Sequence, residues 1–299
     1  MAEYDRLFNN EVVAQMITDA AQEQLGFPRL FPKVSLAEQT DYYTYFKPEL
    51  TWDEAKKTGK LGKARKIAEG AEFEPLTIRD YKSQTEAFGL VGGRLTLTEE
   101  QMTTMPLQAI DVVKEAGRMI IDSVNDDFNN FYNKNAKVSY NQEASDDIPT
   151  YLVKAQGKVD EAELNLFATD KKGYEKMRLY LLEQKIPLMP VEEIKTYFGL
   201  PNVQLQDMAI TKGGRGFGEL DVKGIDINKP GIEIMYSPRR GTTSAPVPDE
   251  DVAFAPLINV KQDDTRMKQD PAKMDFFIST QYLFLAKNPE YLMKGKLTA

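Results

Sequence analysis

Apolar residues recur through one stretch of the chain in steps of mostly three and four: Met102, Met105, Ile110, Val113, Gly117, Ile120, Val124, Phe128 and Phe131. That spacing marks one face of a helix. Just before it, Thr98-Glu99-Glu100-Gln101 has the form of a capping box, with Thr98 as cap and Gln101 reaching back. The pattern is sustained to about Asn135, which makes about 37 residues and, at about 1.5 Å each, about 55 Å of helix. Pro106 either kinks the first turns or opens the uninterrupted part as its first residue. Helices this long are uncommon in compact enzymes, where about a dozen residues is usual. No heptad with charged flanks is sustained, so a coiled coil is the poorer reading.

What precedes the helix is extended and basic. Residues 53–70 carry Lys56, Lys57, Lys60, Lys63, Arg65 and Lys66, with Gly59 and Gly62 between them. A solvated, mobile arm is the favoured reading over a nucleic-acid contact. Leu76/Ile78 and Leu95/Leu97 then alternate as half-buried strands do, with Arg79 among them and Gly92-Gly93 as a turn or bulge signal. Residues 55–97 thus read as a long excursion of strands with a basic tip, and Trp52 at its base reads as a packing anchor. Further upstream, residues 9–25 have helical spacing, with Asn9 or Asn10 as cap and Gly26 and Pro28 as the stop. Pro28, Pro32 and Pro48 then impose extended geometry on an aromatic leader that has few local partners.

The second half is mixed, so the class is α+β. A strand is expected at 161–169, a helix at 170–185 with Tyr174, Met177, Leu181 and Leu182 inward, and a short helix at 191–201. Strands follow within 202–236, a polar connector at 237–251, and apolar strands to the end.

The chain has no histidine and no cysteine, which removes most catalytic templates: no imidazole base, thiolate nucleophile, disulfide or His/Cys metal site. The net charge of -8 argues against a general nucleic-acid binder without excluding a local basic segment. No signal peptide or membrane span is read. Lys212–Gly218 is glycine-dense but lacks the GK[ST] ending of a phosphate loop and a following helix, so it reads as a mobile loop. The acidic runs at 126–127, 146–147, 192–193, 249–251 and 263–264 read as solvated faces and loops. Arg239-Arg240 suits phosphates or acidic neighbours equally well.

The order of these features is more specific than any one of them. An aromatic leader, a basic β-arm returning through AFGLVGGRLTLTEEQM, and a long helix ending NDDFNNFYNKN precede a mixed α/β half. The chain resembles the HK97-like major capsid proteins of tailed double-stranded DNA viruses, bacteriophage or archaeal. Residue-level similarity is concentrated in about 60–135, with the turn in KIAEGAEFEPLTIRDYKS and the LTLTE start of the helix. The resemblance implies an N-terminal arm (1–48), an extended E-loop hairpin (49–97), and a P domain (98–160) with its spine helix at about 98–135. It further implies an A domain (161–245) and C-terminal strands returning to both domains (246–299).

It also implies a structural protein, not an enzyme, without cofactor or metal. Such a protein self-assembles into hexamers and pentamers of an icosahedral shell, enclosing double-stranded DNA without sequence-specific binding or membrane contact. Partners are other copies, a portal, and in some members separate scaffolding or decoration proteins. Forty-eight residues before the arm leave no room for a fused scaffolding domain. Location would be the virion, after assembly in the host cytoplasm. Lys56, Lys57, Lys60, Lys63, Arg65, Lys66, Arg79, Arg239 and Arg240 are the expected subunit-interface residues. Rivals are an encapsulin-like compartment of the same fold, a carboxylate-dependent α+β hydrolase, and a tube or decoration protein.

Overall fold

The computed structural model describes residues 8–49, 55, 57–58, 81–159, 163–183, 189–190, 198–199, 209–244, 256–268 and 272–298. The chain divides by its internal contacts into two units, residues 41–87 and the remainder.

The larger unit begins with helix α1 (Asn10–Gln24), capped by Asn9, whose side-chain oxygen accepts from the Val12 amide at 2.8 Å. A 3-10 turn (Phe27–Leu30) and strand β1 (Lys33–Ser35) follow. The smaller unit contains β2 (Tyr42–Pro48) and β3 (Tyr81–Ala87), paired antiparallel. The chain then re-enters the larger unit as β4 (Gly89–Thr98). Gly92-Gly93 is neither turn nor bulge but lies inside this strand. A β-carbon on Gly92 would stand 2.5 Å from the Ile278 carbonyl oxygen, so glycine serves the close approach of the next strand.

The capping box forms: the Gln101 amide donates to Thr98 Oγ1 at 3.2 Å, and the Thr98 amide donates to Gln101 Oε1 at 2.9 Å. The helix it starts, α2 (Glu99–Thr103), stops after one turn. Pro106 drives Met105 out of helical geometry (φ -128°, ψ 50°) and opens α3 (Pro106–Asn135), 30 residues without a break. Of the two expectations for Pro106, the second holds. The buried face of α3 runs Ala109, Val113, Gly117, Ile120, Ile121, Val124, Phe128 and Tyr132. It includes two residues absent from any apolar count, Asn125 and Asn129. Helix α1 crosses it so closely that a β-carbon on Gly117 would stand 2.7 Å from the Ile17 carbonyl oxygen.

Next come β5 (Val138–Ser139), α4 (Ile148–Gln156), β6 (Leu166–Thr169) and α5 (Lys171–Glu183). Tyr174 and Met177 point inward as expected, but Leu182 is 53 % exposed. The strands β7 (Met189–Pro190) and β8 (Phe198–Gly199) pair antiparallel. Residues 198–199 were expected in a helix; strand pairing with β7 overrides their local pattern. Residues 191–197 lie outside the described set. The remaining strands are β9 (Ala209–Lys212), β10 (Asp221–Ile225), β11 (Ile232–Tyr236), β12 (Thr243–Ser244), β13 (Asn259–Asp263), β14 (Lys273–Ala286) and β15 (Met293–Lys296).

They form two sheets. In one, β14 pairs with β4, β11 and β13, with β1 parallel to β11 and β12 beside β13. The other has the order β5-β15-β10-β6-β9-β8-β7. Alternation divides the second sheet between two cores. Leu166, Ala168 and Ile225 join α1, α3 and the first sheet, while Phe167, Val222 and Met293 face α4 and α5.

The glycine-dense loop 212–218 is tied to the first core rather than mobile. The Phe27 amide donates to the Gly213 carbonyl and the Gly213 amide to the Thr169 carbonyl, both at 2.8 Å. Gly214 and Gly216 take left-handed φ values of 79° and 86°, which their residue type permits. At the end of α3 the Tyr132 hydroxyl donates a shared bond to the carbonyls of Gly224 and Met293, at 2.9 and 3.0 Å.

Two measurements check this packing. A glycine-to-alanine change inside a helix normally stabilises by about 1 kcal/mol. At Gly117 the added methyl meets backbone, so G117A is expected to lower the urea midpoint, by about 1–3 kcal/mol of stability; a raised midpoint contradicts the close crossing. Y132F leaves two strand carbonyls without their side-chain donor and is expected to destabilise by about 1–3 kcal/mol, read by thermal unfolding.

Candidate assembly surfaces

In the β2–β3 ribbon, Tyr42 pairs with Ala87, Thr44 with Thr85, Phe46 with Ser83 and Pro48 with Tyr81. Because side chains alternate, Tyr42, Thr44 and Phe46 of β2 share one face with Tyr81, Ser83, Thr85 and Ala87 of β3. It is an aromatic face left open: Tyr42 is 67 %, Phe46 74 % and Tyr81 52 % exposed. The two threonine hydroxyls bond across it at 2.8 Å and fix the register. On the other face Tyr43 and Tyr45 stack 6.5 Å apart. The Tyr45 hydroxyl donates to Glu86 Oε1 at 2.8 Å; burial, then the Glu86 carboxylate, push its pKa well above the usual phenol range. A two-stranded ribbon is marginal in water, so one that also bares three aromatics gains most by being covered.

The larger unit has its own uncovered apolar line. Val112 and Met119 lie seven residues apart along the outer side of α3, and Met105 is the residue just before the helix. Seven residues are close to two helical turns, so the two stay nearly in line. Val112 is 39 % and Met119 64 % exposed, and Met105 and Leu107 at the start of the helix are 42 and 76 % exposed. On the β4–β14 sheet, register puts Leu90 and Phe277 on one face, 55 and 41 % exposed, with Arg94 directly across from Phe277.

Of the expected interface residues, Lys57, Arg239 and Arg240 are described, and all are exposed. Arg239 reaches that same sheet face, Nη1 lying 3.4 Å from Ser279 Oγ. Its amide donates to Asn259 Oδ1 at 3.1 Å, and the Arg240 amide donates to Gln39 Oε1 at 2.9 Å. Lys56, Lys60, Lys63, Arg65, Lys66 and Arg79 lie outside the described residues, as do Trp52 and the strand expected at Leu76/Ile78.

The acidic runs have structural roles. Asp127 accepts from the Tyr282 hydroxyl. Asp146, read as solvated, has a side chain only 4 % exposed and grips Lys154 at 2.7 Å. Asp147 caps α4 through the Thr150 amide at 2.9 Å and accepts from Tyr180; these bonds hold its carboxyl below the ordinary carboxylate value. Asp263 closes a turn on the Thr265 amide at 2.9 Å. The other two runs, 192–193 and 249–251, are outside the described residues. Among the described residues no three carboxylates converge to hold a metal ion. A groove of about 520 Å³ between α4 and α5 contains Asp146, Lys172, Glu175, Lys176 and Glu183. Lys172 is paired with Glu219 at 2.7 Å, and Lys176 with the Thr298 carbonyl.

No family model matches the sequence, and no curated protein matches it. The fold does find relatives among solved structures. The chain is similar to a virus-like particle protein from Pyrococcus furiosus, at 10 % identity and TM-score 0.55, over 97 % of this chain and 100 % of that one. It is similar to the capsid protein of cyanophage P-SCSP1u, at 7 % identity and TM-score 0.56, over 90 and 86 %. It is also similar to the SrpI encapsulin of Synechococcus elongatus, at 10 % identity and TM-score 0.56, over 90 and 85 %. The chain has the HK97-like capsid fold.

One buried interaction on the β4–β14 sheet sets a pH expectation. Asp275 accepts from Thr96 Oγ1 at 2.5 Å and from Arg266 Nη1 at 3.2 Å. The Thr96 bond first, then Arg266, hold its pKa below 3.8. A depressed carboxyl stabilises above its unfolded value and loses this as pH falls through its folded value. Wild type is therefore expected to exceed D275N in urea stability at pH 7, with the gap closing below pH 3.8. A gap that persists in acid contradicts the assignment.

Proposed function

We propose that the chain is a structural shell protein, a major capsid protein that assembles into hexamers and pentamers of an icosahedral particle enclosing double-stranded DNA. The observation that carries this is full-length agreement with a virus-like particle protein, 97 % of this chain on 100 % of that one. The bare aromatic face of the ribbon supports it physically. A shell subunit multiplies contact area through arms that overlap neighbours, without enlarging its own core. On this reading residues 1–48 are the N-terminal arm, 49–97 the E-loop, 98–160 the P domain, 161–245 the A domain and 246–299 the returning strands. Tyr42, Phe46 and Tyr81 are covered by another copy. The basic set from Lys56 to Lys66, with Arg79, Arg239 and Arg240, meets acidic faces of neighbours, in keeping with the acidic whole (net charge -8).

No catalysis is asked of such a protein. Its other partners are a portal and, where used, separate scaffolding or decoration proteins, and it resides in the virion after assembly in the host cytoplasm. A second reading, an encapsulin-like compartment, is favoured by the similarity to the SrpI encapsulin at TM-score 0.56. Encapsidated material separates the two: nuclease-protected DNA in native particles supports the capsid, and enzyme cargo the compartment.

The test is sedimentation of the purified chain beside two variants. Wild type is expected to form large particles. Y42S/F46S is expected to leave subunits with unchanged far-ultraviolet circular dichroism and no particles. K63E/R65E/K66E is expected to cut the particle yield at least tenfold. Assembly untouched by both variants contradicts the proposed role of the arm.

A further inference from the structure

Lys223 sits where the end of α3 meets the second sheet. On β10, Asp221, Lys223 and Ile225 point toward α3, while Val222 points into the second core. Lys223 is 1 % exposed, and its Nζ donates to Asn129 Oδ1 on α3. The Asn129 carboxamide is itself immobilised, Nδ2 donating to the Asn125 carbonyl at 2.9 Å and the Arg215 carbonyl at 2.8 Å. Around the amine stand the rings of Phe217, Tyr132 and Phe27, with centroids at 4.2, 5.2 and 5.5 Å. One side chain therefore touches α3, the 213–217 loop and the turn after α1 while belonging to the second sheet.

The surrounding charges leave the amine without a carboxylate bonded to it among the described residues. Asp221, on its own strand, is ion-paired with Lys296 at 3.4 Å. Lys294 lies directly across on β15, a like charge, and turns its Nζ to the Asn133 carbonyl at 2.6 Å. From α3, Asp122 is paired with Arg215 of the loop, and Asp126 is exposed. The partner on β6 is Ala168.

We propose that Lys223 is a charge-gated latch, holding α3 against the second sheet when its amine is neutral and loosening that joint when the amine is protonated. The aromatic faces and the Asn129 oxygen make a protonated state tolerable, while loss of water makes it costly. Burial, opposed in part by Asp221, lowers the lysine to about 7 from 10.5. The open or unfolded state then binds a proton that the closed state does not, between about 7 and 10.5. The joint therefore gains stability as pH rises through that window and is weakest below pH 7, the closing equilibrium changing up to about tenfold per pH unit.

Lys33, also buried and lowered to about 7, adds a second pH dependence elsewhere in the larger unit. The experiment is accordingly a difference between proteins. Hydrogen-exchange protection of amides 222–225 is measured from pH 6 to 10 in the full chain and in K223M, whose apolar side chain is of similar length. Expected is a wild-type to variant protection ratio that is flat below pH 7 and rises up to about tenfold per unit above it; a ratio constant across the range overturns the proposal. Independently, NMR of labelled lysine ε-carbons in the unaltered chain should show Lys223 titrating near 7, and a midpoint at 10.5 likewise overturns it.

Discussion

The larger unit depends on how the last turns of α3 are held. Tyr132 packs edge-on against Phe27 at 5.2 Å, and Phe27 against Phe31 at 5.1 Å, so the turn after α1 wedges against the helix. The same tyrosine bonds two strands of the second sheet through its hydroxyl. A phenol is suited to the place: its body joins the first core, and its tip satisfies carbonyls where the two cores share a sheet. The joint adds to the other ties between α3 and the second sheet, the Lys223 bond to Asn129 and the Lys294 bond to the Asn133 carbonyl.

A long helix packed along one face, from Ala109 to Tyr132, leaves side chains on its outer side exposed among the described residues. Val112 and Met119 are such side chains on the helix, and Tyr42 and Phe46 are exposed on the ribbon. Among the described residues, each unit thus has exposed apolar side chains that another copy could cover. That is the physical content of the shell-protein reading, and it is independent of the fold comparison, in which sequence identity is near 10 %.

Local pattern makes the long helix, the capping box and α1 legible in the amino-acid sequence, with the cap of α1 narrowed to Asn9 or Asn10, because each rests on contacts a few residues apart. The place where α3 begins comes down to the steric rule for the residue before proline, acting at Met105. What the sequence does not reveal depends on distant partners. Gly92-Gly93 has the composition of a turn but serves a close strand approach, and 212–218 has that of a mobile loop but is fastened by Phe27 and Asn129. Lys223 and Asn129 are polar residues in apolar company. Their only sequence trace is position: Asn129 beside Phe128 on the buried helix face, and Lys223 at an inward step of a strand. The bare aromatic face of β2 is visible in the sequence as an aromatic leader, but its register with β3 is not.

The most direct test is a particle reconstruction by cryo-electron microscopy at side-chain detail. The account predicts a closed shell of pentamers and hexamers in which Phe46 of each ribbon is buried against another copy. A discrete small oligomer, or a shell in which Phe46 faces solvent, would contradict it.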